Sequence, residues 1–173
     1  MRGSRAARWL TVLVGCCLTD AATHAEGADG RSGAGATRRR EHWDLIPAVH
    51  WARLGALERI DRPGCQAVLT DFTDTRGRRL DDVLRESGRT AREQLDSLEL
   101  QSGLGRPRCR GAVMAFTRLR SSVVSICLSQ FRTLGRHEQE AILIHEMLHS
   151  LGLGENPPES AAITAQVMKR CVH

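Results

Sequence analysis

The chain has 173 residues, 41% of them hydrophobic, which is enough to build one domain with a core and too few for two. Its formal charge of +5 at pH 7 is the excess of 25 Lys and Arg over 20 Asp and Glu residues. The basic residues are scattered along the chain apart from the run 38–40. The chain has few aromatic side chains that could stack on bases: three Phe, three Trp and no Tyr. Its basic residues also form no stripe along a helix face, so we expect no nucleic-acid partner. We therefore expect a monomer built of one domain with one site.

The N-terminus has the pattern of an export signal, residues 1–25. Arginines precede the apolar run 9–18, which at about ten residues is too short to span a membrane. Small residues near Ala25 offer sites for ordinary signal cleavage, which we slightly favour. The alternative is residues 13–16, which resemble the lipobox of lipoproteins, so that the signal would end at Cys16. Either route predicts an exported protein, periplasmic or extracellular, whose one membrane contact would be a lipid anchor at Cys16.

Cleavage near Ala25 would leave an even set of four cysteines. Such a set suits two disulfides in an oxidising compartment, and none of the four forms the C-x-x-C pair typical of a metal cluster. The sequence alone leaves three pairings open. We favour Cys109 with Cys127, which would staple a hairpin, and this leaves Cys65 for Cys171.

Residues 26–40 are rich in Gly, Ala and Arg without apolar periodicity, which predicts a flexible linker before a folded domain at 41–173. A helix is predicted after Pro47 and ends at the breaker 61–64. Trp43 and Trp51 are expected to anchor this helix in the core. The next residues, CQAVLTDF, are apolar and partly β-branched, which fits a strand or the start of another helix, and we predict a strand.

Two short amphipathic helices are predicted in 79–88 and 90–100, where apolar residues lie three and four apart, with Gly88 as a stop and Thr90 as a cap. The apolar runs 112–116 and 123–128 flank a polar connection, which is the pattern of an antiparallel hairpin. A last helix follows the two prolines at 157–158. These elements together predict an α+β domain.

The segment 141–160, AILIHEMLHSLGLGENPPES, carries the strongest functional signal. At about 100° per residue its apolar residues cover one broad arc, and His145 and His149 lie together on the flank of that arc, one turn apart. Glu146 lies beyond them and is the only formally charged residue from 141 to 154, so the helix is predicted to be largely buried. Burying these polar groups without partners costs several kcal/mol, so the pattern requires a partner for them.

A divalent metal would be such a partner. Histidines at i and i+4 on one helix face can both bind one Zn²⁺, which predicts His145 and His149 as ligands and zinc as the cofactor. The intervening Glu146 points to the side where a bound water would be, so it is the predicted general base that takes a proton from water attacking a carbonyl. It would then pass that proton to the leaving amine.

A hydrolytic zinc site uses three protein ligands and keeps one position open. Gly152 and Gly154 permit the left-handed conformations with which the chain can turn back toward the metal, and this turn delivers Glu155. We predict Glu155 as the third ligand. Glu159, at the start of the last helix, is the competing candidate, and either residue could instead support the site from outside the ligand set.

The stretch HEMLHSLGLGE, with H-E-x-x-H-x-x-G-x-x-E spacing, resembles the active-site motif of zincin metallopeptidases in the extended form found in metzincins. The resemblance implies hydrolysis of a peptide or protein substrate by a zincin-like domain. In such a domain an edge strand above the active-site helix holds the substrate extended, and a last helix closes the lower part. The hairpin 112–128 could supply that strand and bind peptide by strand addition. Residues 109–171 also resemble small exported bacterial proteins described as metallopeptidases.

The chain departs from the metzincin pattern at three points. Most metzincins have His, sometimes Asp, where it has Glu155, and a carboxylate lowers the net charge of a zinc site. They also carry a Met in a tight turn beneath the metal, whereas Met168, the only Met after the motif, falls in a predicted helix. A Tyr that stabilises the oxyanion in some relatives has no counterpart, so an Arg, a His or a backbone N–H would replace it.

Two other functions remain open from the sequence. In the first, the zinc is structural, because no coordination position is left for water and the protein is a binding module without catalysis. In the second, His145 and His149 are hydrogen-bonded core residues, and the chain is an exported, disulfide-stabilised structural or binding protein without metal.

Overall fold

Residues 47–172 are described by the structure, a computed structural model. They form eight α-helices, one 3₁₀ helix and a three-stranded sheet, and this α+β architecture confirms the predicted class. The predicted signal peptide 1–25, its alternative end at Cys16 and the linker 26–40 lie outside the described residues. Within the described range, no helix is both long enough and apolar enough to cross a membrane.

The first helix, α1 (Pro47–Ile60), begins and ends where the sequence predicts. Proline is tolerated at its start because the first turn of a helix leaves its N–H groups unpaired in any case. The prediction that Trp51 anchors the helix in the core is wrong, since this side chain is 54% exposed. Smaller residues make the buried face instead: Val49, Ala52, Ala56 and Ile60. Trp43 lies outside the described residues.

The strand predicted for CQAVLTDF is wrong, because this segment is helical. It is divided between α2 (Pro63–Gln66) and α3 (Val68–Asp71). Pro63 starts α2 with the φ of a helix, and both short helices pack against the last helix, α8 (Ser160–Cys171). That contact buries Cys65 and Val68 completely and outweighs the strand preference of the β-branched residues.

Two short amphipathic helices follow, as predicted: α4 (Leu80–Ser87) and α5 (Ala91–Asp96). Gly88 ends α4 with φ 67°, and Thr90 caps α5 in a reciprocal capping box with Glu93. The second helix ends four residues earlier than predicted. Residues 99–102 form strand β1 instead, because pairing with a neighbouring strand satisfies their backbone groups and overrides the local helical pattern.

The predicted hairpin is confirmed. Strands β2 (Ala115–Thr117) and β3 (Val123–Ile126) pair antiparallel, while β1 (Glu99–Ser102) pairs parallel to β3. The strand order is β1-β3-β2, so among the described strands β2 lies at one edge of the sheet. This edge strand packs against the long helix α7 (Arg136–Ser150), which carries the motif and also contacts α1, α5 and α8.

Both predicted disulfides are confirmed. One joins Cys65 in α2 to Cys171 at the end of α8, and the other joins Cys109 to Cys127. Cys109 belongs to the 3₁₀ helix Pro107–Arg110, which is thereby fastened to the end of β3. The short helix α6 (Leu128–Phe131) then leads into α7. The two bridges thus hold the segments that lie on either side of the motif.

The contact between α1 and α7 is close because α1 has a glycine where α7 carries a buried charge. Arg59 of α1 pairs with the fully buried Glu140 of α7, and Arg136 bonds the same carboxylate at 2.9 Å. A Cβ at Gly55 would overlap the Glu140 carboxylate. Glycine at this position is therefore required for the two helices to approach.

The Gly55→Ala substitution is expected to lower the free energy of unfolding by about 2 to 4 kcal/mol, because the added methyl group either overpacks the interface or displaces a buried ion pair. Urea denaturation monitored by circular dichroism measures this change. Gly111→Ala is the matched control, since a Cβ there meets no atom within 4 Å. Equal stability of the two variants would contradict the packing argument.

Candidate metal centre

The motif lies on the buried part of α7, as predicted. His145, Glu146 and His149 expose only 3%, 4% and 8% of their surface. The helix packs against α1, α8 and the edge strand β2, which together exclude water from most of the surface of these polar side chains. Each of them therefore needs a defined partner.

The two imidazoles face each other. Their Nε2 atoms are 2.9 Å apart, while His145 Nδ1 lies 2.9 Å from the hydroxyl of Thr164 and His149 Nδ1 lies 2.7 Å from the carbonyl oxygen of Leu153. A carbonyl oxygen only accepts hydrogen bonds, so His149 Nδ1 carries the proton and donates it. The Nε2 lone pair of neutral His149 is then directed at the space between the rings.

The chain turns back immediately after α7 and brings Glu155 to the histidines. Gly152 adopts φ 107°, a conformation that favours glycine, as predicted for this turn, whereas Gly154 does not have a positive φ. One Glu155 carboxylate oxygen, Oε1, lies 3.3 Å from Nε2 of His149 and 3.9 Å from Nε2 of His145. Among the described residues, these three side chains form the group that could hold a metal ion. Glu159 lies instead at the N-cap of α8, outside this group.

The spacing of the three atoms fits a zinc ion. A triangle with sides of 2.9, 3.3 and 3.9 Å has a centre about 2.0 Å from every corner, which matches the Zn–N and Zn–O bond length of about 2.0 to 2.2 Å. Two imidazole nitrogens and one carboxylate oxygen are also a donor set that zinc prefers. The Nδ1 contacts to Thr164 and Leu153 are of the kind that fix the tautomer and orientation of ligating histidines.

Glu146 is the least satisfied group of the cluster. Its Oε2 atom is buried and has no hydrogen-bond partner among residues 47–172. Burial and the negative charge of Glu155 raise the pKa of Glu146 to about 8, against smaller lowering effects from a backbone hydrogen bond to Thr117 and from the charge of Arg108. Burial, and then the neighbouring His149, lower the pKa of His145 to about 3. A cation between these groups would return Glu146 to its ionised form at neutral pH.

Comparisons with protein-family models, curated proteins and solved structures found no match for this chain. What the site does is therefore inferred from its own residues.

Two cavities open on either side of Glu146. One, of about 610 Å³, lies between α7, α8 and the segment before β2, and its walls are mainly apolar side chains such as Ile142, Ala165 and Met168. The other, of about 620 Å³, borders β2 and the turn, and Arg108 reaches it. Met168 is thus a wall of the cleft on α8, half-buried beside His145, and does not lie in a tight turn.

Several residues of the site carry no signal that the sequence analysis detected. Thr164 and Arg108 lie on α8 and on the 3₁₀ helix, and neither is spaced regularly from the motif. Thr117, whose backbone contacts Glu146, belongs to the predicted hairpin, but its strand register is set by pairing with β3. Tertiary placement alone brings these residues to the cleft.

The metal-free protein is expected to lose stability relative to its Glu146→Gln variant as the pH rises from 6.5 to 8. In this window the folded state keeps a proton on Glu146, with its pKa of about 8, whereas the unfolded carboxyl, with its ordinary pKa of 4.5, has released it. His145 is neutral in the folded state, where its pKa is lowered to about 3, and its protonation in the unfolded state near pH 6.5 is common to both proteins and cancels in the comparison. Urea unfolding in the presence of a chelator should show a difference of about 1 to 2 kcal/mol, and equal pH slopes would contradict this.

Proposed function

We propose that this protein is an exported zinc-dependent peptidase with a zincin-like domain, in which His145, His149 and Glu155 hold the metal and Glu146 is the general base. The observation that carries the proposal is the group of three candidate ligand atoms around one point, next to a buried carboxylate oxygen that has no partner in the described part of the chain. The two disulfides suit the oxidising compartment that an exported protein reaches.

Different residues of the site would perform different parts of the hydrolysis. Zinc bound by this group would supply a Lewis acid that polarises a carbonyl and makes water more acidic. Glu146 would accept a proton from the attacking water at Oε2, the carboxylate oxygen that the described residues leave without a hydrogen bond, and donate it to the leaving amine. Thr164 and the Leu153 carbonyl hold the two imidazoles in place during these steps.

The cleft has features that suit an extended peptide. Strand β2 is an edge strand among the described residues and borders the cavity that contains Glu146, so a substrate segment could add to it by main-chain hydrogen bonds. The apolar cavity on the other side of Glu146 could take a substrate side chain. Arg108 supplies a positive charge beside the cleft that could stabilise the oxyanion in a chain without Tyr.

Access to the cluster favours catalysis over a structural zinc site. A structural zinc is closed by four protein ligands, whereas this group has three, and the Glu155 side chain is 43% exposed. Each histidine borders one of the two cavities, so water and substrate can reach the position where the metal would be held.

The second candidate is a non-catalytic exported protein stabilised by its disulfides, with or without zinc. One observation favours its metal-free form: the Nε2 atoms of His145 and His149 are 2.9 Å apart, which is also the length of a hydrogen bond between them. In that arrangement His145 would donate a hydrogen bond from Nε2 to Nε2 of His149 and would accept one at Nδ1 from the hydroxyl of Thr164.

Metal analysis and peptide cleavage test the two candidates. The full chain is purified without added metal, and its zinc content and its cleavage of a random peptide library are measured. Stoichiometric zinc together with chelator-sensitive cleavage is the expected result. Stoichiometric zinc without cleavage would favour the binding module, and absence of zinc binding even after addition of the metal would exclude the peptidase.

A further inference from the structure

A second polar cluster lies behind the turn that delivers Glu155. Its centre is Asp74, which is 3% exposed and accepts hydrogen bonds from the backbone N–H groups of Arg76 at 2.8 Å and Arg78 at 3.0 Å. The guanidinium of Arg78 binds the same carboxylate at 2.9 and 3.0 Å, and that of Arg120 binds it at 3.1 Å. Burial would raise the pKa of Asp74, but the bonds from Arg78 and Arg76 hold it well below its usual range.

Arg120 and the loop that contains Asp74 contact the turn directly. Arg120 lies in the β2–β3 connection, and its guanidinium stands 3.2 Å from where a Cβ on Gly152 would lie. Its backbone N–H donates to the carbonyl oxygen of His149 at 3.0 Å. Thr75, next to Asp74, donates its N–H to the carbonyl oxygen of Gly152 at 3.0 Å.

The same loop also restricts the path of the backbone after Gly152. The methyl group of Thr75 lies 3.0 Å from where a Cβ on Gly154 would be, so the loop and the turn are in close contact at two successive glycines. Glu155 follows at once, and 43% of its side chain is exposed, so packing around the side chain restrains it only in part. The position of the Glu155 carboxylate therefore depends on the backbone of the turn.

We propose that Asp74 is a positioning residue for Glu155: by holding Arg120 and the loop 73–79 against Gly152, it sets the turn so that the Glu155 carboxylate meets the two histidines. This inference rests on the proposed function, since it assumes that Glu155 is a metal ligand. Residues that orient metal ligands from outside typically change metal affinity by about 10- to 100-fold, and we expect an effect of this size.

Two variants of the full chain test the role of Asp74. Asp74→Asn keeps the shape of the side chain and removes its charge. Arg120→Gly removes the guanidinium, and it suits the backbone because Arg120 has φ 62°, so it remains informative where Asp74→Asn does not fold. Asp71→Asn is the matched control, because Asp71 also binds an arginine, Arg170, but joins α3 to α8 away from the turn.

The readouts are zinc affinity by competition with a chelator and the visible absorption spectrum of the Co²⁺-loaded protein, with circular dichroism to verify folding. Asp74→Asn and Arg120→Gly should bind zinc about 10- to 100-fold more weakly and alter the Co²⁺ spectrum, while Asp71→Asn should do neither. Folded variants with unchanged affinity would overturn the inference and leave the proposed function standing. A wild-type chain that binds no zinc would overturn both.

A double-mutant cycle separates positioning from a general loss of stability. In a Glu155→Ala background the ligand that Asp74 is proposed to position is absent, so adding Asp74→Asn should weaken zinc binding by less than about twofold. A further loss as large as that in the wild-type background would mean that Asp74 acts through another route, and it would overturn the assignment.

Discussion

Glu146→Gln is expected to lower kcat/KM for peptide cleavage by about 10³- to 10⁴-fold, the upper range for loss of a general base, while zinc remains bound. Gln has nearly the same shape as Glu but accepts no proton at neutral pH. Because Oε2 of Glu146 has no partner within the described fold, the substitution breaks no existing contact of that atom. The loss should therefore appear in activity, and the zinc-loaded variant should remain folded.

The experiment compares cleavage rates of zinc-loaded wild type and variant on the same peptide substrate. Glu58→Gln is a matched control, since Glu58 is an exposed carboxylate on α1 whose partner is the surface residue Arg62. We expect this control to cleave at the wild-type rate. Wild-type cleavage by a zinc-loaded Glu146→Gln protein would exclude Glu146 as the base.

Loss of a ligand should have the second large effect. His149→Ala and Glu155→Ala are each expected to weaken zinc binding by more than about 100-fold, because even residues that merely orient ligands contribute about 10- to 100-fold. Glu159→Ala should change the affinity by less than about twofold, since this exposed residue at the start of α8 is not part of the ligand group.

Chelator competition on the three purified variants measures these affinities side by side. The comparison of Glu155 with Glu159 decides the third ligand, because both are carboxylates that follow His149 in the sequence and are four residues apart. A large loss in Glu159→Ala with none in Glu155→Ala would reverse the assignment. Unchanged affinity in His149→Ala would exclude the metal site altogether.

The parts of the structure that were predictable from the sequence are those that depend on short-range pattern. Residues His145 and His149 lie one turn apart on any helix, so their meeting follows from the helical period. The hairpin is similarly local, and the pairing of Cys109 with Cys127 follows from it because this disulfide staples the hairpin. The place of Glu155 follows from the turn that Gly152 permits.

The predictions that are wrong concern segments whose structure depends on distant partners. The segment CQAVLTDF has a strand-like composition, yet its contact with α8, about a hundred residues away, makes it helical. Residues 99 and 100 leave the predicted helix to pair with β3. Asp74 is an ordinary turn residue in the sequence, and only the folded chain places it behind the turn that leads to Glu155.

The bridge between Cys65 and Cys171 affects the unfolded chain more than the folded one. It joins residues that are 106 apart in the sequence, so it closes most of the described chain into one loop. In the chain-entropy account, closing a loop of this length makes the denatured ensemble less favourable by about 4 to 5 kcal/mol. This is comparable to the whole net stability of a small domain, which is about 5 to 15 kcal/mol. Reduction of this one bond would thus bring the domain that carries the turn and α8 close to unfolding. The integrity of the cleft therefore depends on the redox state of the protein's surroundings.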